Sequence, residues 1–390
     1  RIIKISSEAI MANKKFNIGF ISSHGHDLAG HIIDQAANPD LESIHLCLMN
    51  DKDVAQRDLD INKIAEASEK VKTKTKNIDD ILNTKDLDAV AVCARPDLAP
   101  DIFNKILDAN LPIITDKPAS NDSKRLDDVA KKAAKKNLAF GTMLQWRRNP
   151  AILDIKRAVD SGALGQIMTV EVRLLTSTIN WRGPGKSYLL EKSSMGGGIT
   201  SWLACHMLDM LIFILDERIT EVSAFTGNRH PVKIDVEDTA ISAIKTESGI
   251  LGSVHTGYSL CGPGKFGNDI YLGIRGTEGY VRIPFYMPGQ EDLDNTLYLY
   301  SENENWVTGG QRAMTYSPYY KTQFGKSGVD LGSGGYGGFM AEKLFVDFLN
   351  STRNQGKNPT PIEDLVHVLE IGEAIRESSD SGKAISISKT

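Results

Sequence analysis

Two stretches of this chain carry residue types suited to proton and oxyanion chemistry: Asp116-Lys117-Pro118, and Trp202-Leu203-Ala204-Cys205-His206-Met207-Leu208-Asp209. A lysine ammonium can hydrogen-bond an oxygen and stabilise negative charge developing on it, and an imidazole can accept a hydroxyl proton near neutral pH. Leu111-Pro112-Ile113-Ile114-Thr115 reads as a short buried strand. Lys117 therefore stands just past a strand's carboxyl end, where open α/β sheets bind their ligands. Pro118 restricts the backbone behind it and so holds the lysine's direction. A surface turn with a solvated lysine is the alternative for the tripeptide alone. The second stretch reads as an apolar helix following flexible glycines, Gly196-Gly197-Gly198. Trp202, His206 and Asp209 recur at i, i+4 and i+7, so they share a face. A histidine and an acid in apolar company need partners or a ligand, and a satisfied core histidine answers that need as well as a catalytic one does.

The elements that position these residues fall into two grammars. From Lys15 to Met143, strand-like runs (Phe16 to Ile21, Ile44 to Met49, Val71 to Thr75, Ala89 to Cys93, Leu111 to Thr115, Leu138 to Met143) alternate with helical patterns such as Ala99 to Ala109 and Lys124 to Lys136. That alternation predicts a doubly wound parallel sheet with helices on both faces. After a helix around Ala151 to Ser161, a period of two takes over, as in Val170, Val172 and Leu174, or Ile270, Leu272 and Ile274. Further strands are expected at Glu221 to Phe225, Thr239 to Ile244, Gly252 to Tyr258, Tyr280 to Phe285 and Thr296 to Tyr300. One apolar and one mixed face predicts a large, mostly antiparallel open sheet backed by helices. Gly338 to Asp380 reads as helical again, broken at Gln355 to Pro359. The expected organisation is an N-terminal extension over 1–14, disordered and preceding or including a natural start at Met11; a Rossmann domain over 15–144; and an α+β domain over 145–390 for substrate binding and oligomerisation.

The first βα turn is where a dinucleotide-binding domain carries G-x-G-x-x-G. Here it reads Ser22-Ser23-His24-Gly25-His26-Asp27-Leu28-Ala29-Gly30, with the glycines out of the usual spacing. Serine hydroxyls and free backbone N–H groups at a helix start can still bind a pyrophosphate, and His24 or His26 could add a donor. Asp27 suits a helix N-cap. The two histidines have no third ligand nearby, so no metal site is expected. Asp51, about 29 residues past Ser22, suits either the adenosine ribose hydroxyls, favouring NAD over NADP, or the N-cap of a short helix.

Composition bounds the rest. A chain of 390 residues, 41% hydrophobic and 24% charged, suits two globular domains. A net charge of −5 gives no electrostatic reason to expect nucleic acid or an anionic membrane as partner. No apolar run approaches the roughly 18 residues of a membrane span. The four cysteines (Cys47, Cys93, Cys205, Cys261) lack metal-site spacing, and Cys47 and Cys93 sit in apolar strands, which predicts buried free thiols in a reducing, cytoplasmic setting.

Taken in order, these residues resemble the glucose–fructose oxidoreductase, inositol dehydrogenase and rhizopine-catabolism (Gfo/Idh/MocA) family over nearly all of Asn17 to Ile387. Asp88 to Pro96 resembles its fourth strand and the adenosine-side turn. Thr115-Asp116-Lys117-Pro118 resembles its Glu-Lys-Pro signature, with Asp for Glu. Arg147-Arg148-Asn149-Pro150 through Gly165, the triple glycine with His206 and Asp209, Gly276-Thr277-Glu278-Gly279 and the final helices complete the match. Two departures stand out. The cofactor loop lacks the family's glycines, and Trp202 occupies the position where many members carry an Asp four residues before the histidine.

The resemblance implies an NAD(P)-dependent oxidoreductase moving a hydride between nicotinamide and a secondary alcohol carbon of a sugar, cyclitol or polyol. It implies a homodimer or homotetramer joined through the sheet. Lys117, His206 and Asp209 are the expected catalytic residues, with Asp209 orienting the imidazole in place of the missing acid. Ser22, Ser23, His24, Gly25, His26, Asp51, Ala94, Arg95, Pro96, Asp116 and Lys117 are the expected cofactor contacts. Arg147, Arg182, Lys186, Tyr188, Trp202 and His206 are the expected substrate contacts. The family also contains non-catalytic NAD-binding regulators and NAD-retaining glycoside hydrolases, which are the alternatives.

Overall fold

The computed structural model describes residues 15–23, 38, 40–49, 69–182, 188–260, 267–285, 295–303, 310–316 and 339–388. The expected N-terminal extension and the glycine-rich stretch before Gly338 lie outside them. The first half builds a parallel sheet from β1 (Phe16–Ser22), β2 (Leu41–Leu48), β3 (Val71–Thr75), β4 (Ala89–Cys93), β5 (Ile113–Thr115) and β6 (Phe140–Thr142). Its strand order is β3-β2-β1-β4-β5-β6, with every pair parallel. The central strands β1, β4 and β5 carry side chains to two buried faces, as the near-continuous Ala89-Val90-Ala91-Val92-Cys93 run requires.

One face packs on helices α1 (Ile78–Leu82), α2 (Ala99–Asp108) and α3 (Ser123–Lys135). Ile102, Phe103, Ile106 and Leu107, spaced by three and four, form the apolar stripe of α2 over Val90, Val92 and Ile113. The α3 helix begins where the Asp122 carboxylate accepts the Arg125 N–H at 2.8 Å, an N-cap.

The next helices in chain order are α4 (Pro150–Asp160), α5 (Ile179–Arg182), α6 (Lys192–Met195), α7 (Ile199–Trp202), α8 (Ala204–Leu215), α9 (Phe339–Thr352) and α10 (Ile362–Ser381). The other face of the parallel sheet is covered by α9, which returns from the far end of the chain. Leu344, Phe345, Phe348 and Leu349 pack there on Ile18, Phe20, Leu46, Ala89, Ala91 and Ile114. Burying each of those phenylalanines contributes about 1.5–3 kcal/mol, so the chain's end helps hold its first domain together.

The second sheet contains β7 (Ile167–Thr176), β8 (Ile219–Gly227), β9 (Thr239–Thr246), β10 (Leu251–Gly257), β11 (Asn268–Gly276), β12 (Gly279–Phe285), β13 (Asn295–Ser301), β14 (Gly310–Tyr316) and β15 (Ile385–Ser386). Its order is β14-β13-β12-β11-β7-β10-β9-β8-β15, and only the β7–β10 pair among these ladders is parallel. Sequence pattern does not announce β14 or β15; the short β15 exists by pairing with β8. The inner face (Val170, Val172, Leu174, Ile270, Leu272, Ile274) is buried in the same core as α4, α8 and α10.

The expected single helix from Ile199 to Leu211 is in fact two. It breaks at Leu203, and the axis of the preceding Lys192–Trp202 stretch is bent 51° from that of α8. Trp202 and His206 therefore do not share one continuous helical face. The triple glycine is also not a flexible run. A Cβ on Gly196 would lie 2.2 Å from the Asn121 carbonyl oxygen, and one on Gly198 would lie 2.0 Å from that of Glu237. Glycine is required there because backbones meet.

Candidate active site

Between β5 and α3 the chain makes the loop that carries Asp116, Lys117 and Pro118, with a cis Lys117–Pro118 peptide bond. The loop is anchored to the sheet by Asp116 N–H on the Val92 carbonyl at 3.0 Å. The Asp116 carboxylate turns back and accepts the Lys117 N–H at 2.8 Å. Lys117 is no surface lysine: it is 3% exposed. Its ammonium donates to the Trp202 carbonyl at 3.0 Å and lies 3.4 Å from the centre of the Trp202 ring.

The break at Leu203 makes that contact available. In an unbroken α-helix the His206 N–H would donate to the Trp202 carbonyl four residues back. Here it donates to Leu203 at 3.1 Å. The Trp202 carbonyl instead accepts from Lys117 and, at 3.3 Å, from the Cys205 thiol. Burial pushes the Cys205 thiol up to about 11. His206, on the first turn of α8, is itself buried. Lys117 from the first sheet thus meets the second domain one helical turn before His206.

The segment presenting Trp202 is fixed from both domains. Glu237 accepts the Gly198 N–H at 2.8 Å, the Thr200 N–H at 3.2 Å and the Thr200 hydroxyl, which ties down the start of α7. Arg376 donates to the hydroxyls of Thr200 at 2.8 Å and Ser201 at 3.1 Å. Asn121, four residues past Lys117, donates to the Ser193 carbonyl at 2.9 Å.

Arg147 and Asp209 have a different task from the one the sequence suggested. Arg147 donates through Nε to both Asp209 oxygens at 3.1 Å, and through Nη2 to Oδ1 at 2.5 Å. The same guanidinium reaches Asp364 at 2.8 Å and the Pro359 carbonyl at 3.3 Å. Burial pulls Arg147 down, but Asp209 and Asp364 outweigh it and hold the guanidinium above its ordinary value. Burial pushes the Asp209 carboxyl up, against the pull of Arg147. Arg147 is therefore a buried clamp between α8 and α10 rather than a substrate contact, and Asp209 spends its oxygens on Arg147 rather than on orienting His206. Asp364, Glu237 and Arg376 were not legible as site supports, because their partners are more than 35 residues away in sequence.

The expected cofactor residues divide in the same way. The strand order reverses at β1, whose neighbours β2 and β4 lead in opposite directions, and the crevice beyond Ser22 and Cys93 is where such sheets take a dinucleotide. Ser23 sits in it, its N–H on the Cys93 carbonyl at 3.1 Å and its hydroxyl accepting the Arg95 N–H at 3.3 Å. Ser22 is buried beside it, and Ala94 and Pro96 flank Arg95. The Arg95 guanidinium pairs with Asp97 at 2.6 and 2.9 Å. His24, Gly25, His26, Asp51 and Lys186 lie outside the described residues. Arg182 ends α5, and Tyr188 is half-buried against the core. Among the described residues no cluster of three or more His, Cys, Asp or Glu side chains is arranged to hold a metal ion.

Residues 35–143 match the family model for an oxidoreductase family with an NAD-binding Rossmann fold, and residues 152–282 match the GFO/IDH/MocA C-terminal domain. The chain belongs to the Gfo/Idh/MocA family. Within this family it is 24% identical over 233 residues to levoglucosan dehydrogenase of Pseudarthrobacter phenanthrenivorans, covering 52% of this chain and 56% of that one. It is 23% identical over 210 residues to inositol 2-dehydrogenase of Salmonella typhimurium, covering 53% and 57%. The chain spans a little over half the length of these curated relatives it matches. Its fold is shared with levoglucosan dehydrogenase in complex with NADH and levoglucosan, at a TM-score of 0.77 and 20% identity over 96% of this chain and all of that one. It is shared also with an oxidoreductase domain protein from Kribbella flavida, at 0.76 and 22% over 96% and 100%.

Proposed function

We propose that this Gfo/Idh/MocA chain is an NAD(P)-dependent oxidoreductase acting on a secondary alcohol carbon of a sugar, cyclitol or related polyol. The observation that carries this reading is the burial of the Lys117 ammonium at the carboxyl end of β5, against the helix break that leads into His206. A bound nicotinamide supplies the hydride acceptor or donor. The residues at the β1/β4 reversal fit a dinucleotide: Ser22 and Ser23 are small and Ser23 bridges to the Arg95 backbone, so the crevice is lined by hydroxyls and main chain. NAD is favoured over NADP by Asp51 in the sequence.

In this reading Lys117 hydrogen-bonds the substrate oxygen and stabilises the charge that develops on it. His206 accepts the hydroxyl proton on oxidation and returns it on reduction. The relatives named for inositol and levoglucosan support the substrate class. The chain self-associates through the outer face of the second sheet, where Phe225, Ile241 and Leu251 are exposed on neighbouring strands.

The test is a thermal-shift comparison of NAD, NADH, NADP and NADPH, followed by turnover of inositol and levoglucosan with the cofactor that binds, because a ligand of the native state raises its melting temperature. Lys117→Met is expected to abolish turnover while leaving cofactor affinity within a few-fold. Absence of a shift with all four dinucleotides, or undiminished turnover by Lys117→Met, refutes the reading.

A further inference from the structure

Trp202, a buried core residue, touches Lys117 twice. Its ring centre lies 3.4 Å from the ammonium, well inside the roughly 6 Å over which an aromatic face attracts a cation. Its carbonyl, freed by the break at Leu203, takes one of the ammonium's hydrogens at 3.0 Å. We propose that Trp202 is a positioning residue for Lys117, and that its indole face and main-chain carbonyl together hold the ammonium in the geometry the reaction uses. This deepens the hydride-transfer reading and rests on it for the catalytic consequence; the clamp itself rests on the geometry alone.

The physical distinction from an acid at the same position is one of charge. A carboxylate beside an ammonium neutralises it. An aromatic quadrupole and a carbonyl dipole attract it and leave its full charge to act on a developing oxyanion. Trp202 is itself immobilised. It is buried in the core, and the segment before it is tied by Glu237 to the Gly198 and Thr200 N–H groups and by Arg376 to Thr200 and Ser201. A side chain with four rotatable bonds is thereby given one direction by a ring that has nowhere to turn. The expected price of losing the ring is a misplaced ammonium, read in kcat rather than in cofactor affinity.

The experiment uses the full chain labelled with carbon-13 at the lysine Cε position. The Lys117 signal is assigned by its disappearance in Lys117→Met. An indole stacked on the ammonium displaces that signal upfield of the other lysines through its ring current. Trp202→Phe, which keeps a ring and the carbonyl, is expected to retain a smaller displacement, and Trp202→Leu, which keeps only the carbonyl, to abolish it. With inositol or levoglucosan as substrate, Trp202→Leu is expected to lower kcat about tenfold or more, with Trp202→Phe recovering to within about threefold of wild type and both keeping KM for NAD. A wild-type Lys117 signal lying among the other lysines overturns the proposal, as does a kcat for Trp202→Leu equal to wild type. If Trp202→Leu fails to fold, the wild-type and Trp202→Phe signals still decide. A wild type that oxidises neither compound refutes the function proposed above, whereas an upfield Lys117 signal in that same protein still supports the clamp.

Discussion

Replacing Arg147 by methionine keeps most of the side chain's volume and removes the cation that Asp209 is folded around. The Asp209 side chain is 1% exposed and Arg147's is 5%, so water cannot substitute for the guanidinium. Breaking such a pair from one side costs about 3–5 kcal/mol at neutral pH. Protonation sets a ceiling on the part due to the stranded charge. Holding a proton on a group whose ordinary value is 3.8 costs about 4.4 kcal/mol at pH 7 and about 1.6 kcal/mol at pH 5. The sign follows from linkage. In the variant the folded-state value of Asp209 is raised further above the unfolded one, so the folded state binds the proton more tightly and gains stability as pH falls. Because burial already raises Asp209 in wild type, the destabilisation of Arg147→Met relative to wild type should shrink from pH 7 to pH 5 by at most about 2.8 kcal/mol. Urea unfolding of both proteins at the two pH values measures it. Measured in an Asp209→Asn background, the cost of Arg147→Met should lose that pH dependence. An equal cost at both pH values with Asp209 present, or a pH-dependent cost in the Asp209→Asn background, refutes the assignment of Arg147 as the partner of a buried carboxylate.

Gly198→Ala should destabilise by about 3 kcal/mol and depress turnover, because its Cβ meets the Glu237 main-chain oxygen, whereas Gly162→Ala, at φ +72 in open space, should cost only about 1 kcal/mol; thermal melts of the two distinguish them. Cys47 and Cys205 should resist iodoacetamide at pH 8 in the native protein and react on unfolding, since burial pushes both thiols to about 11 and leaves about one in a thousand ionised; mass spectrometry of labelled peptides reads this. Phe225→Asp combined with Ile241→Asp should convert an oligomer to monomer by light scattering without loss of helix content, because these two residues pair across β8 and β9 on the outer sheet face.

The parallel sheet was legible because its strands are short apolar runs punctuated by turn formers, and a period of two marked the second sheet equally well. Both signals are local. What could not be read is what arrives from a distance. Residues 344–349 of α9 look like any amphipathic stripe, and nothing in them says that they cap the first domain's sheet. The i, i+4, i+7 spacing of Trp202, His206 and Asp209 was a correct pattern applied to a helix that breaks. The segment before the break is held by Glu237 and Arg376, 35 and 174 residues downstream of Trp202. Arg147 was expected at the substrate because its segment is one the resembling family turns towards the cleft and its donors suit a polyol; the two carboxylates converging on it come from residues 62 and 217 positions away.

Lys117 sharpens the same contrast. Its place after β5 follows from the sequence, but its direction does not. Its ammonium meets the Trp202 carbonyl, 85 residues away, at the break between α7 and α8. Glu237 holds the start of α7, where Gly198 comes close to the Glu237 main chain. A change at any link of that chain, from Glu237 through the glycine to Trp202, should register at the ammonium before it registers in the fold of either sheet. The triple glycine, the helix break and the indole thus act as one device, and its output is the position of a single charge.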